Sequence, residues 1–477
     1  MRTTKPGFHA LFSALALIAS GACSDDTGPA GGEVDAAILG DGQVLEPDAG
    51  APACAAISTF ADGLTPTAEV HVAIGGDDQS GDGSSGNPFA TIERAADEAG
   101  PGTAIRVHAG TYAGDQYLSG LQGTAAAPIW LGGAPGEDRP VLQGGGEGLH
   151  LSSVRYLVVH DLEVSGSTQN GINCDDSGEY DNPDATRHVV FRDLYVHDVG
   201  SGGNQDCLKL SGVDDFFVLG SEFARCGGGG SGSGVDHVGC HDGVLAHNHF
   251  HELSGNAVQA KGGSRDLSIR WNRMEDAGER AVNMGGSTGF EFFRPPLEFF
   301  EPNAEAWNIE VLANEIRGST AALAFVGCVD CVAANNTIVD PERWVARILQ
   351  ETTTTALYTF EPAKNGVLVN NLVYYDRGLL STHINVGANV DEQSFSFAHN
   401  LWYAHDDAGN SAPDLPVVEE SAVIGQDPGL SDVAGGDYSI AAASPAAGAG
   451  QAVAGLTGDI AGACYAEPPS IGAREVP

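Results

Sequence analysis

The chain is poor in positive charge. Of 477 residues, 22 are Lys or Arg against 64 Asp or Glu, a formal net charge of −42. Lysine is scarcest: Lys5, Lys209, Lys261 and Lys364 are the whole set. So acidic a surface excludes nucleic acid and anionic membranes as partners, because both repel it. It repels anionic polysaccharide too, unless a metal ion or a local basic spot reverses the field. A plainer role for the acidity is to keep the protein soluble. Aromatic residues are few, at 7%, and glycine is abundant, at 66 residues. That balance disfavours packed helices and favours many bends and short strands. Beyond the N-terminal leader, no apolar run is long enough to span a bilayer.

Residues 1–22 read as an export signal. Arg2 and Lys5 precede an apolar run from Ala10 to Ala19, and Ser20-Gly21-Ala22 precede Cys23. The same small residues are similar to a bacterial lipoprotein box, which would place acyl chains on Cys23. The expected location is the cell envelope, with free secretion as the alternative, and any membrane contact is through the lipid alone. Residues 23–55, rich in Gly, Ala, Pro and Asp, read as a flexible tether, and residues 56–477 as one domain. Apart from Cys23 there are eight cysteines, expected to form disulfides or buried thiols in an oxidising compartment. The lone Cys328-x-x-Cys331 is weak evidence for zinc.

The domain carries a repeat. Apolar strands end at Asp161, Asp193, Ser221, Asn248, Asn272, Asn314, Asn336, Asn371 and Asn400, with the shortest spacings at 22–24 residues. A polar residue recurring at one bend predicts a ladder of stacked side chains, since amides one strand apart can bond each other. The predicted fold is an all-β solenoid, a single right-handed parallel β-helix, with a short capping helix over Phe89–Ala99. Two insertions, Gly285–Trp307 and Pro341–Lys364, leave the coils and would wall a groove, together with the glycine-rich loop Gly227–Gly234.

Lys209, His237 and Lys261 lie twelve, eleven and eleven residues before Ser221, Asn248 and Asn272. If each run is one coil, the three stack on one outer face. Neighbouring coils lie ~4.8 Å apart. Positive neighbours at that distance would lower a lysine pKa and so make Lys261 a usable base. A face that only solvates the coils explains the same residues.

Gly76-Asp77, Gly86-Asn87-Pro88-Phe89, Thr91-Ile92, Ala95 and Gly110-Thr111-Tyr112 resemble the start of secreted, pectin lyase-like parallel β-helix proteins, in which a short helix covers the open end of the coil. Val258-Gln259-Ala260-Lys261-Gly262-Gly263-Ser264 followed by Asn272 is similar to the base-bearing coil of calcium-dependent lyases of the chondroitinase B and alginate lyase type. Ser254 and Asn256 stand where that group carries acidic metal ligands. The resemblance implies a monomeric polysaccharide lyase acting on an anionic, uronate-containing polymer. It implies Lys261 as base; the column adds Lys209 and His237 as catalytic partners, and the nearby Arg280 is a further candidate. Asn256, Gln259, Asn283 and Arg294 would contact the sugar, and Asp206, Asp236 and Asp242 would hold calcium. A non-catalytic glycan-binding or envelope-structural protein is the alternative, and a glycoside hydrolase working through paired acids is a second one.

Overall fold

The computed structural model describes residues 54–476. The signal peptide, Cys23 and nearly all of the tether lie outside the described residues. The domain is a right-handed parallel coil whose walls are three long sheets of thirteen, ten and twelve strands. Each turn of the coil gives one strand to each sheet, and strand pairing within these sheets is parallel. Period-two alternation sends one set of side chains into a continuous apolar core. On the ten-stranded sheet, Val235, Val258, Val282 and Leu323 stack there at full burial. The N-terminal end is closed by α1 (Ile92–Glu98), three residues shorter at its start than predicted. Thr91 caps it by accepting from the Arg94 N–H, and Ile92 and Ala95 turn inward.

The asparagine ladder is present. The side-chain NH2 of Asn248 donates to Asn272 Oδ1 at 2.9 Å, and the chain of donations continues through Asn314, Asn336, Asn371 and Asn400. Ser221 ends it on one side and Glu419 Oε1 on the other. Asp161 and Asp193 do not belong to it. They occupy the preceding bend position with φ near +50°, alongside His247, Trp271 and Ala313, so the ladder position in their coils is Leu162 and Leu194.

A strap that the sequence reading missed runs outside the thirteen-stranded sheet. Cys54 is bonded to Cys464, so the end of the predicted tether is fixed to the domain. Ala55 packs with Ala246, Trp271 and Leu312, and its carbonyl lies 3.1 Å from His247 Nε2. Further along, Phe60 and Leu64 cover Ala104, Trp130, Val158 and Val190. The other disulfides are Cys207–Cys226 and Cys328–Cys331, while Cys174 and Cys240 are buried thiols.

Candidate active site

Lys209 and Lys261 share the outer face of the ten-stranded sheet. Strand Leu208–Ser211 pairs with Ser233–Val238 so that Lys209 lies level with Asp236. Asp236 in turn lies level with Gln259 and Asn283, while Lys261 lies level with Val238, two positions further along. The two ammonium groups meet on one carboxylate. Lys209 Nζ is ion-paired with Asp236 Oδ2, and Lys261 Nζ lies 3.3 Å from the same oxygen. Lys261 also donates to Gln259 Oε1 at 3.3 Å. Asp206 Oδ2 lies 3.6 Å from Lys209, while Asp206 Oδ1 accepts from the Ser233 N–H.

This network sets the charges. Burial opposes ionisation of Lys209, but Asp236 and Asp206 outweigh it and raise its pKa, so Lys209 is a fixed cation. Burial also opposes the charge on Asp236, but Lys209 and Lys261 hold it low. Burial and the neighbouring Asp236 push Asp206 up.

Several expected partners lie elsewhere. His237 is not in an outer column: it is level with Leu210 and Ala260, points into the core, and is fully buried against the Phe216 ring. Burial lowers its pKa to about 4, so it is neutral and cannot act on Lys261 through positive charge. Its displacement has a simple cause. The coil of Lys261 turns on two positive-φ glycines, Gly262 and Gly263, where the preceding coils use Gly212 and Gly239 alone. Counting back from the ladder therefore slips by one residue, and one residue reverses a side chain's face.

Arg294 is not a sugar contact. It is buried, and its guanidinium grips Asp214 with two bonds of 2.7 Å, pinning the root of the Gly285–Trp307 insertion. Asp242 sits on the thirteen-stranded sheet, beside Asp215 and Asp266, and Asp206 and Asp236 are engaged by lysine. These three aspartates therefore do not fit a single calcium site. Gln259 contacts Lys261, Asn283 lies level with Gln259 on the next strand, and Asn256 and Arg280 lie level with each other further along the same sheet. Arg280 bonds Asn283 Oδ1 at 3.2 Å and is held by Glu351 at 2.6 Å.

The lysines line a cleft of about 450 Å³. One wall comes from the Gly285–Trp307 insertion, with Thr288 and Phe292. The opposite wall is Asp175, Asp176 and Tyr180, and not the Gly227–Gly234 loop, which packs on Gly202 and Gly203. The signal for this wall was the long spacing of 32 residues between Asp161 and Asp193, which carries an inserted loop. Burial leads the upward shift of the Asp176 carboxyl, whose Oδ2 is buried with no hydrogen-bond partner. Burial, aided by Asp176 and Asp175, also raises the Tyr180 phenol.

Glu305 locks the floor to its wall. This fully buried carboxylate accepts from the Gly262 N–H at 2.9 Å, the Thr288 N–H at 2.9 Å and the Thr288 hydroxyl at 2.7 Å. It also takes the Thr352 hydroxyl from the second insertion. The two insertions join further out, where Pro302–Asn303 pairs with Thr359–Phe360 and Phe299 stacks on Tyr358 at 5.2 Å.

No family model matches the chain, and no curated protein matches it by sequence. Among solved structures it is similar to pectate lyase Pel9A, with a TM-score of 0.56 and 14% identity over 87% of this chain and 98% of that one. It is similar to a rhamnogalacturonan lyase with a TM-score of 0.52 and 15% identity, over 73% and 89% of the two chains. The fold is a right-handed parallel β-helix. At this identity the likeness covers the architecture alone, and what a β-helix does is decided by the residues on its faces. Here the outer face of the ten-stranded sheet carries the charged cluster and the cleft.

Proposed function

We propose that this protein is an exported polysaccharide lyase that cleaves a uronate-containing polymer by β-elimination, acting as a monomer, with Lys261 as the base. The observation that carries the reading is the pair of ammonium groups on the cleft floor, sharing one buried carboxylate, in a chain with so few lysines. Lys209, held charged, would neutralise the uronate carboxylate and so acidify the adjacent C–H. Lys261, in its neutral form, would take the proton from carbon. The electron pair left behind forms the C=C bond as the glycosidic C–O bond breaks. Tyr180, which lines the cleft and is kept protonated by its raised pKa, would protonate the departing oxygen. Calcium, where used, would be held by Asp176, whose Oδ2 has no hydrogen-bond partner, and would help to neutralise the uronate. The disulfides suit an oxidising compartment.

The new double bond absorbs in the ultraviolet, so uronate polymers such as pectate, rhamnogalacturonan and alginate can be screened directly, with and without a chelator. On an active polymer, Lys261→Ala should lose ~10²–10⁴-fold in rate with an unchanged circular dichroism spectrum. Normal turnover by that variant rules out Lys261 as base. A second reading is favoured by the same ion pairs, because both lysines rest on Asp236. It is a glycan-binding module, which would retain polymers on an affinity gel and yield no ultraviolet product.

A further inference from the structure

The twelve-stranded sheet carries a second polar cluster, remote from the lysines. His249 and His251 alternate along strand His249–Leu253, so both face outward while Phe250 between them is buried in the core. Glu222, on strand Glu222–Cys226, is level with His249 in the neighbouring coil. One ligand atom from each of Glu222, His249 and His251 falls within 4.8 Å of the others. His251 Nε2 and Glu222 Oε1 are already 3.0 Å apart. Tetrahedral zinc, at its usual bond lengths, holds ligand atoms roughly 3.3 Å apart, so a small closing movement completes the set.

We propose that Glu222, His249 and His251 form a binding site for a divalent transition metal of the zinc type. Two imidazoles select against calcium and magnesium, which take oxygen ligands. A carboxylate lies behind His249, with Glu275 Oε2 2.9 Å from His249 Nε2, and Glu252 Oε2, which accepts from Arg225 at 3.2 Å, lies 3.4 Å from His251 Nδ1. Carboxylates in that position fix ring orientation and strengthen the imidazole as a donor. The nearby cations are engaged, Arg225 with Asp198 and Arg273 with Glu275, so they do not compete for Glu222. The protein's net charge of −42 draws cations to the surface. Three protein ligands leave a fourth position for water. The ion would staple the coil of Glu222 to the coil of the two histidines, and that second coil runs through Ser254 and Gly255 directly into the strand that ends at Lys261.

The test is titration of the chelator-treated full-length protein with zinc chloride by calorimetry, and with cobalt chloride by visible absorbance. We expect one ion per chain at micromolar affinity or better, cobalt bands of four- or five-coordinate intensity, and a higher melting temperature with zinc. His249→Ala/His251→Ala should bind at least tenfold more weakly and lose the melting shift, and Glu222→Gln should weaken binding to a lesser degree. All three side chains are partly exposed, so the variants should match the parent in circular dichroism without metal. Absence of binding by the parent overturns the proposal, and so does equal binding by the double variant. Should the double variant fail to fold, Glu222→Gln alone decides: unchanged affinity and unchanged cobalt bands refute the site.

Discussion

Replacing Asn314 with alanine tests the ladder at its middle. Asn314 is fully buried, and its side chain takes part in four hydrogen bonds. Its oxygen accepts from the Asn272 N–H at 2.9 Å and the Asn272 side chain at 3.0 Å; its NH2 donates to the Ile269 carbonyl at 2.8 Å and to Asn336 Oδ1 at 3.0 Å. The losses are unequal. Asn336 Oδ1 keeps the Asn314 N–H, and the Asn272 side chain keeps the carbonyls of Leu245 and Arg270. The Asn272 N–H is left facing a small void. One buried donor without a partner costs ~1–3 kcal/mol, and the remaining net bonds add ~1 kcal/mol, so Asn314→Ala should lose about 3 kcal/mol. Urea unfolding followed by circular dichroism measures this from the midpoint and slope. Amide exchange at Asn272 gives an independent local reading, expected to be faster. Asn314→Asp, which keeps the acceptors but loses both donors, should be at least as damaging. A loss for Asn314→Ala below about 0.5 kcal/mol, the scale of an ordinary surface change, would refute the ladder as a stabilising element.

Other outcomes follow from the same geometry. Glu305→Ala should free the Thr288 wall from the Gly262 turn, raising KM on an active polymer more than it lowers kcat, as steady-state kinetics would record. His237 is lowered to about 4 in the folded chain against 6.5 as its ordinary value. The folded state thus binds fewer protons, and the stability His237 contributes is present above pH 6.5 and lost as pH falls towards 4. Urea midpoints at pH 7 and pH 4.5 should accordingly lie closer together in His237→Leu than in the parent; an equal gap removes His237 as a source of acid sensitivity. Cys54→Ser opens a loop of sequence separation 410, so the chain-entropy picture predicts a loss on the order of 5 kcal/mol; a melting temperature unchanged from the parent would show the strap holding without its bond.

The repeat was legible because its signal is local: an asparagine following a short apolar strand marks each coil wherever it falls. The slips came where one position could not be fixed without the turn. Asp161 and Asp193 sit in the positive-φ bend, a setting that suits aspartate as well as a ladder suits asparagine. The extra glycine at Gly263 moved His237 from the outer face into the core. Lys209 and Lys261 survived as neighbours because a two-residue offset preserves the face. Asp236 was readable as a residue near the lysines but not as their shared counter-ion, since that depends on register between strands 27 residues apart in sequence. Asp176 and Tyr180 reach the cleft from a loop, where no periodicity guides placement.

The strap from Cys54 to Leu64 changes where force would travel. In an open solenoid, a pull on the two chain ends is carried coil by coil, and the terminal coil peels first. In this protein Cys54 is bonded to Cys464 near the other end of the chain. Tension applied at the two termini meets at that bond and short-circuits the 409 residues between them. The coil array, with the cleft on its flank, lies off the load path, and mechanical extension of the oxidised protein should leave the residues between Cys54 and Cys464 unextended until the disulfide is reduced.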